Sequence, residues 1–361
     1  MKKSLIYVFV WIAVIYILAI FLPQVTHTTY SYERYPYTLS RFENFYHLLN
    51  FDGVHYQKIA QYGYNLEFAT AFFPLYPLLI KGFNLASFGL LSIPLSTLFI
   101  SLLTFMGSLI LLWRLTKSDK VIVSLLLFPL SFFFLVGYNE SLFLFLSLLA
   151  YTFLKQKKYF WMGVVGYLAT LTRFYGVLLF VFLFLEYFFS LAKKKRFVLK
   201  SYLPVWPLLL LPLGLLTYMG YLYLSFGDPL QFIQAQSLWR RSITFPLRTI
   251  YRYFRIFLTV SPKIVQYWVA LFEFLFFLFG LWVSLKLWLR KEFSSAIYLL
   301  TATLVSSFTG TLQSVPRYII TIFPLYIFLS GIKKGRRVYL IVSGVLQLVL
   351  LFLFLNSIFV A

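Results

Sequence analysis

The chain contains no cysteine. Thiol nucleophiles, disulfides and cysteine-ligated metals are therefore excluded, while the redox compartment stays open. Histidine is almost as scarce. His27, His47 and His55 are the whole supply, too few and wrongly spaced for a zinc site. Acids are few as well, 10 Asp and Glu against 32 Lys and Arg, and charged residues make up only 12% of the chain. The resulting net charge of +22 does not point to nucleic acid. Its basic residues are scattered between apolar runs rather than gathered on one soluble face. The run from Leu5 to Leu22 lacks a small-x-small cleavage site and exceeds the ~7–15 apolar residues of a signal peptide core. It reads as an uncleaved first span.

What fills the chain instead is hydrocarbon. Of its 361 residues 61% are hydrophobic, where soluble domains have about 45–50%. One soluble core cannot hide that much apolar surface, so lipid must act as solvent for much of it. Apolar runs of about 20 residues, tested by the positive-inside rule, set the topology. Lys2 and Lys3 place the N-terminus in the cytoplasm. Arg114 to Lys120, Lys155 to Lys158, Lys193 to Lys200, Arg290-Lys291 and Lys333 to Arg337 read as later cytoplasmic clusters.

The spans consistent with these clusters are 5–22, 92–113, 121–137, 141–154, 160–173, 174–192, 203–224, 265–289, 294–312, 318–332 and 338–358. The expected fold is thus an all-α polytopic membrane protein of about eleven transmembrane helices, a single membrane-embedded domain over 1–361. It carries two larger extracytoplasmic loop regions, 23–91 and 225–264. The stretch 71–91 is read as an interfacial or re-entrant segment, because a full crossing there would invert every later cluster. On this layout Asp119 and Glu292 are inside and Glu186 and Glu273 lie within spans. Glu33, Glu43, Asp52, Glu67, Glu140 and Asp228 are outside. Acids contribute little to topology, so their gathering on one face is a separate sign of carboxylate chemistry there.

The most informative string runs Phe51-Asp52-Gly53-Val54-His55-Tyr56-Gln57-Lys58. Asp52 is either the N-cap of a short helix over 54–62 or a carboxylate in a membrane-facing pocket, where partial desolvation makes it a better proton acceptor. His55, three residues on, can share its helical face. At Gly137-Tyr138-Asn139-Glu140-Ser141, Glu140 stands between strongly apolar runs, a costly place for a carboxylate. Arg173 lies among apolar neighbours. Arg317 and Tyr318 form a notch in Gln313-Ser314-Val315-Pro316-Arg317-Tyr318, and the planar guanidinium fork suits phosphate oxygens. In the second loop Gly227-Asp228-Pro229 reads as a turn and helix start capped by Asp228. Gln236, Trp239 and Arg240 follow it, with Trp239 able to stack on a sugar or to anchor at the interface.

These strings occur in one order together with Ala71-Phe72-Phe73-Pro74-Leu75-Tyr76-Pro77. As a set, over roughly 50–320, they resemble the PIG-V family of mannosyltransferases. The resemblance implies a GT-C type helical bundle with its active site on the extracytoplasmic side of the cell membrane. It implies a mannose-like hexose carried on polyprenyl or dolichyl phosphate and moved to a glycolipid or glycan acceptor. No further cofactor is implied, and metal dependence is left open. Asp52 becomes the implied catalytic residue. Tyr56, His55, Glu140, Gln236, Trp239, Arg240 and Tyr318 become substrate-binding residues, with Arg317, Arg173 and Lys81 at the leaving phosphate. The family commonly has Trp where this chain has Phe51, which keeps an aromatic ring but loses the indole donor. Two rival functions stay open: a lipid or solute transporter, and a ligase or polymerase that moves whole glycans from a lipid diphosphate.

Overall fold

A computed structural model describes residues 2–22, 41–65, 67–193, 199–239 and 241–360. Glu33, the middle of the basic cluster at 193–200 and Arg240 lie outside the described residues, as do the side chains of Glu43 and Glu67. Among the described residues all regular structure is helical. In chain order the α-helices are α1 (Lys2–Phe21), α2 (Asp52–Tyr62), α3 (Leu75–Ala86), α4 (Ile93–Thr116), α5 (Asp119–Leu126), α6 (Glu140–Lys155), α7 (Tyr159–Thr172) and α8 (Gly176–Lys193). They continue as α9 (Leu210–Phe226), α10 (Gln231–Gln234), α11 (Pro246–Thr259), α12 (Val265–Leu289), α13 (Phe293–Val305), α14 (Val315–Ile320), α15 (Pro324–Ser330) and α16 (Arg336–Leu355).

Crossing a bilayer takes about 20 helical residues at 1.5 Å each. Among the described residues five helices are long and apolar enough to do so: Ser4–Phe21, Ile93–Thr116, Leu203–Phe226, Val265–Leu289 and Arg336–Leu355. They coincide with the expected spans 5–22, 92–113, 203–224, 265–289 and 338–358. Shorter apolar helices fall on 160–173, 174–192 and 294–312, and α6 falls on 141–154. Helix α3 has 12 residues, about 18 Å of length. It is shorter than the about 20 residues of a crossing helix.

Two expected spans are not continuous helices. The stretch 121–137 contains α5, which ends at Leu126, and then a short 3-10 turn over Ser131–Phe134. Pro129 is the cause. It lacks an N–H and disfavours helical geometry at the residue before it. The carbonyls released there are taken up by side chains. Gln347 on α16 donates its Nε2 to Leu126 O at 3.0 Å and to Phe128 O at 2.9 Å. Its Oε1 accepts from Trp11 Nε1 at 3.0 Å, and Ser131 Oγ donates to Leu125 O. Residues 128–144 are buried throughout, so protein covers the irregular backbone, the condition for such backbone at membrane depth. The stretch 318–332 is likewise split, into α14 and α15, with Pro324 opening the second piece.

The chain forms two compact units. The first comprises Met1–Asn65, Pro74–Phe145 and Tyr326–Val360, and the second comprises Leu66–Phe73 and Leu146–Leu325, with Ala361. Within the second, α7 lies against the stretch 203–226 through its glycines. A Cβ at Gly163 would stand 2.3 Å from Pro207 O, and one at Gly166 would stand 2.3 Å from Leu211 Cδ1. Small residues permit such close approach between membrane helices. The obstacle at Gly163 is backbone and cannot rotate away. Gly163→Ala is therefore expected to destabilise the fold by about 1–3 kcal/mol through overpacking. Gly220 on α9 has nothing within 4 Å of its Cβ direction, so Gly220→Ala is expected to stabilise by about 0.5–1 kcal/mol. Thermal unfolding of the two variants in one detergent checks the opposite signs.

Candidate functional site

In the first unit the Asp52 turn is held from several sides. Phe51 adopts φ 59°, ψ −120°, a region that L side chains rarely occupy, at a cost of about 1–3 kcal/mol. Its ring is buried and packs on Phe354 at 5.6 Å and Phe359 at 5.7 Å between centroids. Burying a Phe side chain is worth about 1.5–3 kcal/mol, the same order as the strain, so the packing offsets the strain and retains the turn. Asn50 is also buried. Its Nδ2 donates to Phe354 O at 3.2 Å and its carbonyl accepts from Tyr138 Oη at 3.1 Å. The position before the acid thus acts through its backbone turn and its apolar cage. That is a role Phe fills without an indole donor.

Helix α2 starts at Asp52 itself. Phe51 is its cap residue and makes no side-chain capping bond. The N-cap reading of Asp52 is corrected accordingly: the residue is the first of the helix, half-buried, at the end where the helix dipole favours negative charge. His55, one turn on, is buried, and so is Tyr56, whose ring meets Tyr76 edge-on at 4.9 Å.

The second carboxylate motif lies against this turn. Gly137 N donates to Leu48 O at 2.9 Å, and a Cβ at Gly53 would stand 3.4 Å from Gly137 O. Glu140 follows, fully buried, as the first residue of α6. Beside it Ser141 Oγ accepts from Thr104 Oγ1 at 3.0 Å, and Tyr138 O accepts from Ser101 Oγ at 3.4 Å. Ser101 in turn shares a hydrogen bond of 2.7 Å with Tyr76 Oη, and the Glu140 carboxylate lies within electrostatic range of that hydroxyl. Two motifs some 85 residues apart in sequence therefore form one buried polar network. Lys81 does not join it, being exposed on α3.

The second unit gathers arginines. Arg173, just past the end of α7, and Arg317, on α14, are both buried. The Arg173 guanidinium carbon stands 5.5 Å from the centre of the Tyr318 ring. Arg241 completes the group. Its Nη1 donates to Tyr318 Oη at 2.9 Å and to Gln236 Oε1 at 3.1 Å. Its Nη2 donates to Ser314 Oγ at 3.2 Å and to Gln313 O at 3.3 Å. The second loop and the 313–318 notch, separate in sequence, meet through this one side chain. Trp239 is half-buried, with its ring edge-on to Phe72 at 5.8 Å.

Sequence reasoning named Arg240 and missed Arg241. Arg240 lies outside the described residues, and in sequence nothing sets Arg241 apart from the residue before it. Three other acids, Asp228, Glu186 and Glu273, are bound into structural contacts. Asp228 accepts from Leu230 N at 2.8 Å and Gln234 Nε2 at 2.6 Å, an Asx turn ahead of a helix whose cap is Leu230 rather than Asp228. Glu186 pairs with Lys155 Nζ at 2.8 Å, and Glu273 accepts from Tyr253 Oη. Comparison with protein-family models, with curated proteins and with solved structures finds no match to this chain.

Proposed function

We propose that the chain is a GT-C type membrane glycosyltransferase of about eleven crossings, its N-terminus in the cytoplasm. It transfers a hexose, mannose by resemblance, from polyprenyl or dolichyl phosphate to an extracytoplasmic glycolipid or glycan. One observation carries the reading: the strained, caged turn that sets Asp52 at the head of α2, joined through buried hydrogen bonds to the Glu140 turn. Backbone strain of this kind clusters where geometry serves chemistry.

The reaction is a single displacement with inversion. Asp52 accepts the proton of the acceptor hydroxyl. That oxygen bonds to the anomeric carbon as the bond from that carbon to the phosphate oxygen breaks, and the lipid phosphate leaves with the electron pair. Charge developing on the phosphate calls for fixed positive groups, a role suited to Arg173, Arg241 and Arg317. Lys81, exposed on α3, is the weakest of the cations named for that role.

The test is the purified chain in proteoliposomes supplied with radiolabelled polyprenyl-phosphate mannose and a membrane lipid extract as acceptor. A new labelled glycolipid, with stoichiometric release of polyprenyl phosphate, is expected. Movement of the donor across the bilayer without chemical change would make the protein a transporter and overturn the reading.

A further inference from the structure

Helix α11 presents three chemically distinct faces. One face docks on the protein. Thr249 and Tyr253 are buried, Thr249 Oγ1 donates to Ser307 O at 2.7 Å, and Tyr253 Oη bonds Glu273 and accepts from Leu312 N at 2.9 Å. The second face is an apolar stripe at one-turn spacing, with Leu247 65%, Tyr251 68%, Phe254 52% and Leu258 86% exposed. At 100° per residue these four fall within a narrow sector of the helix. The third face, beside the stripe, carries Arg248, Arg252 and Arg255, all exposed. No acid lies on the helix.

We infer that α11 lies flat in the surface of an anionic bilayer, its apolar stripe in the acyl boundary and Arg248 and Arg255 among the lipid phosphates, while Arg252 Nη1 donates to Gly310 O at 2.9 Å. Two further observations fix the occupant as a bilayer. Helix α12, long and apolar enough to cross a membrane, begins at Val265, six residues after α11 ends. Fully extended, six residues reach at most about 20 Å, and a turn shortens them, with Ile264 N donating to Ser261 O at 3.0 Å. The stripe is thereby tethered close to the point where α12 enters lipid. At that entry Trp268, an interfacial residue type, donates its Nε1 to Pro262 O at 2.8 Å. Helix α11 is itself too short to cross, with 14 residues against about 20, and its three arginines bar it from the hydrocarbon centre. An apolar stripe beside a basic one is the pattern of helices that lie in the interface, and it responds to anionic lipid. The inference stands whether or not the chain transfers sugars.

The chain has no cysteine, so one introduced thiol carries a unique spin label. Labels at Tyr251→Cys and Leu258→Cys are placed in the full-length protein. They are read in vesicles of phosphatidylcholine with and without phosphatidylglycerol, with oxygen as the lipid-side and a nickel chelate as the water-side relaxant. Both labels are expected about 5–10 Å below the phosphates, more accessible to oxygen than to nickel, and deeper when phosphatidylglycerol is present. In an Arg248→Gln/Arg255→Gln background the dependence on phosphatidylglycerol is expected to vanish while helix content is unchanged. Labels more accessible to nickel than to oxygen, a depth indifferent to phosphatidylglycerol in the parent protein, or spin–spin broadening from a second copy covering the stripe would each overturn the inference.

Discussion

Replacing Asp52 with Asn is expected to lower transfer by about 10²–10⁴-fold, the usual worth of a positioned general base. The amide keeps the shape of the side chain and cannot accept the acceptor proton. Fold and donor affinity should be nearly unchanged, because Asn keeps an acceptor oxygen at this position and the turn has several other supports. Phe51 is caged by Phe354 and Phe359, Asn50 bonds Phe354 O, and Tyr138 bonds Asn50 O. Asp52 is the first residue of α2, with Phe51 as its cap residue, and the amide oxygen of Asn can still accept a backbone N–H there, whereas loss of a capping acceptor typically costs ~1 kcal/mol. The measurements are single-turnover transfer, donor binding and melting temperature on the same preparation. Most activity retained would remove Asp52 from the chemistry. Activity lost together with donor binding and melting temperature would make it structural.

Much of the fold was legible because lipid leaves the chain few choices. A backbone in hydrocarbon must bond to itself, so a long apolar run without proline beyond its first turn becomes a helix, and α1, α4, α12 and α16 lie close to where hydropathy puts them. The two broken stretches were less legible. Pro129 and Pro324 are visible in the sequence, yet the break at 129 is stabilised by Gln347, more than 200 residues away. In sequence Gln347 is only a polar residue in an apolar helix. The candidate site divides in the same way. Glu140 stood out as a carboxylate in an apolar setting, a purely local signal, while Asp52 was singled out by the motif around it and the resemblance that motif carries. The positive φ of Phe51 is imposed by contacts with the distant 354–359 segment. The inward turn of Arg241 depends on partners at 313–318. Local pattern marks residues able to carry chemistry, and tertiary contacts decide which of them come together.

Arg241 is where that distinction has its largest testable consequence after Asp52. A lysine there is expected to lower transfer by about 10²–10³-fold, the effect of removing one donor that stabilises developing negative charge. Charge is conserved in this change and geometry is not. The guanidinium spreads two nitrogens over four acceptors, Tyr318 Oη, Gln236 Oε1, Ser314 Oγ and Gln313 O, while an ammonium is a single point with no planar fork. A purely structural loss would look similar with the natural donor, because Arg241 also ties the second loop to the 313–318 notch. The donor separates the two. A glycosyl fluoride releases fluoride and needs no guanidinium to receive a phosphate. If Arg241 acts on the leaving phosphate, Arg241→Lys should fail with the lipid-phosphate donor and stay within a few fold of the parent with the fluoride. Arg317→Lys should show the same split. Equal losses with both donors would mean that Arg241 shapes the loop and does not touch the chemistry. The positive charge for the phosphate would then rest with Arg173 and Arg317.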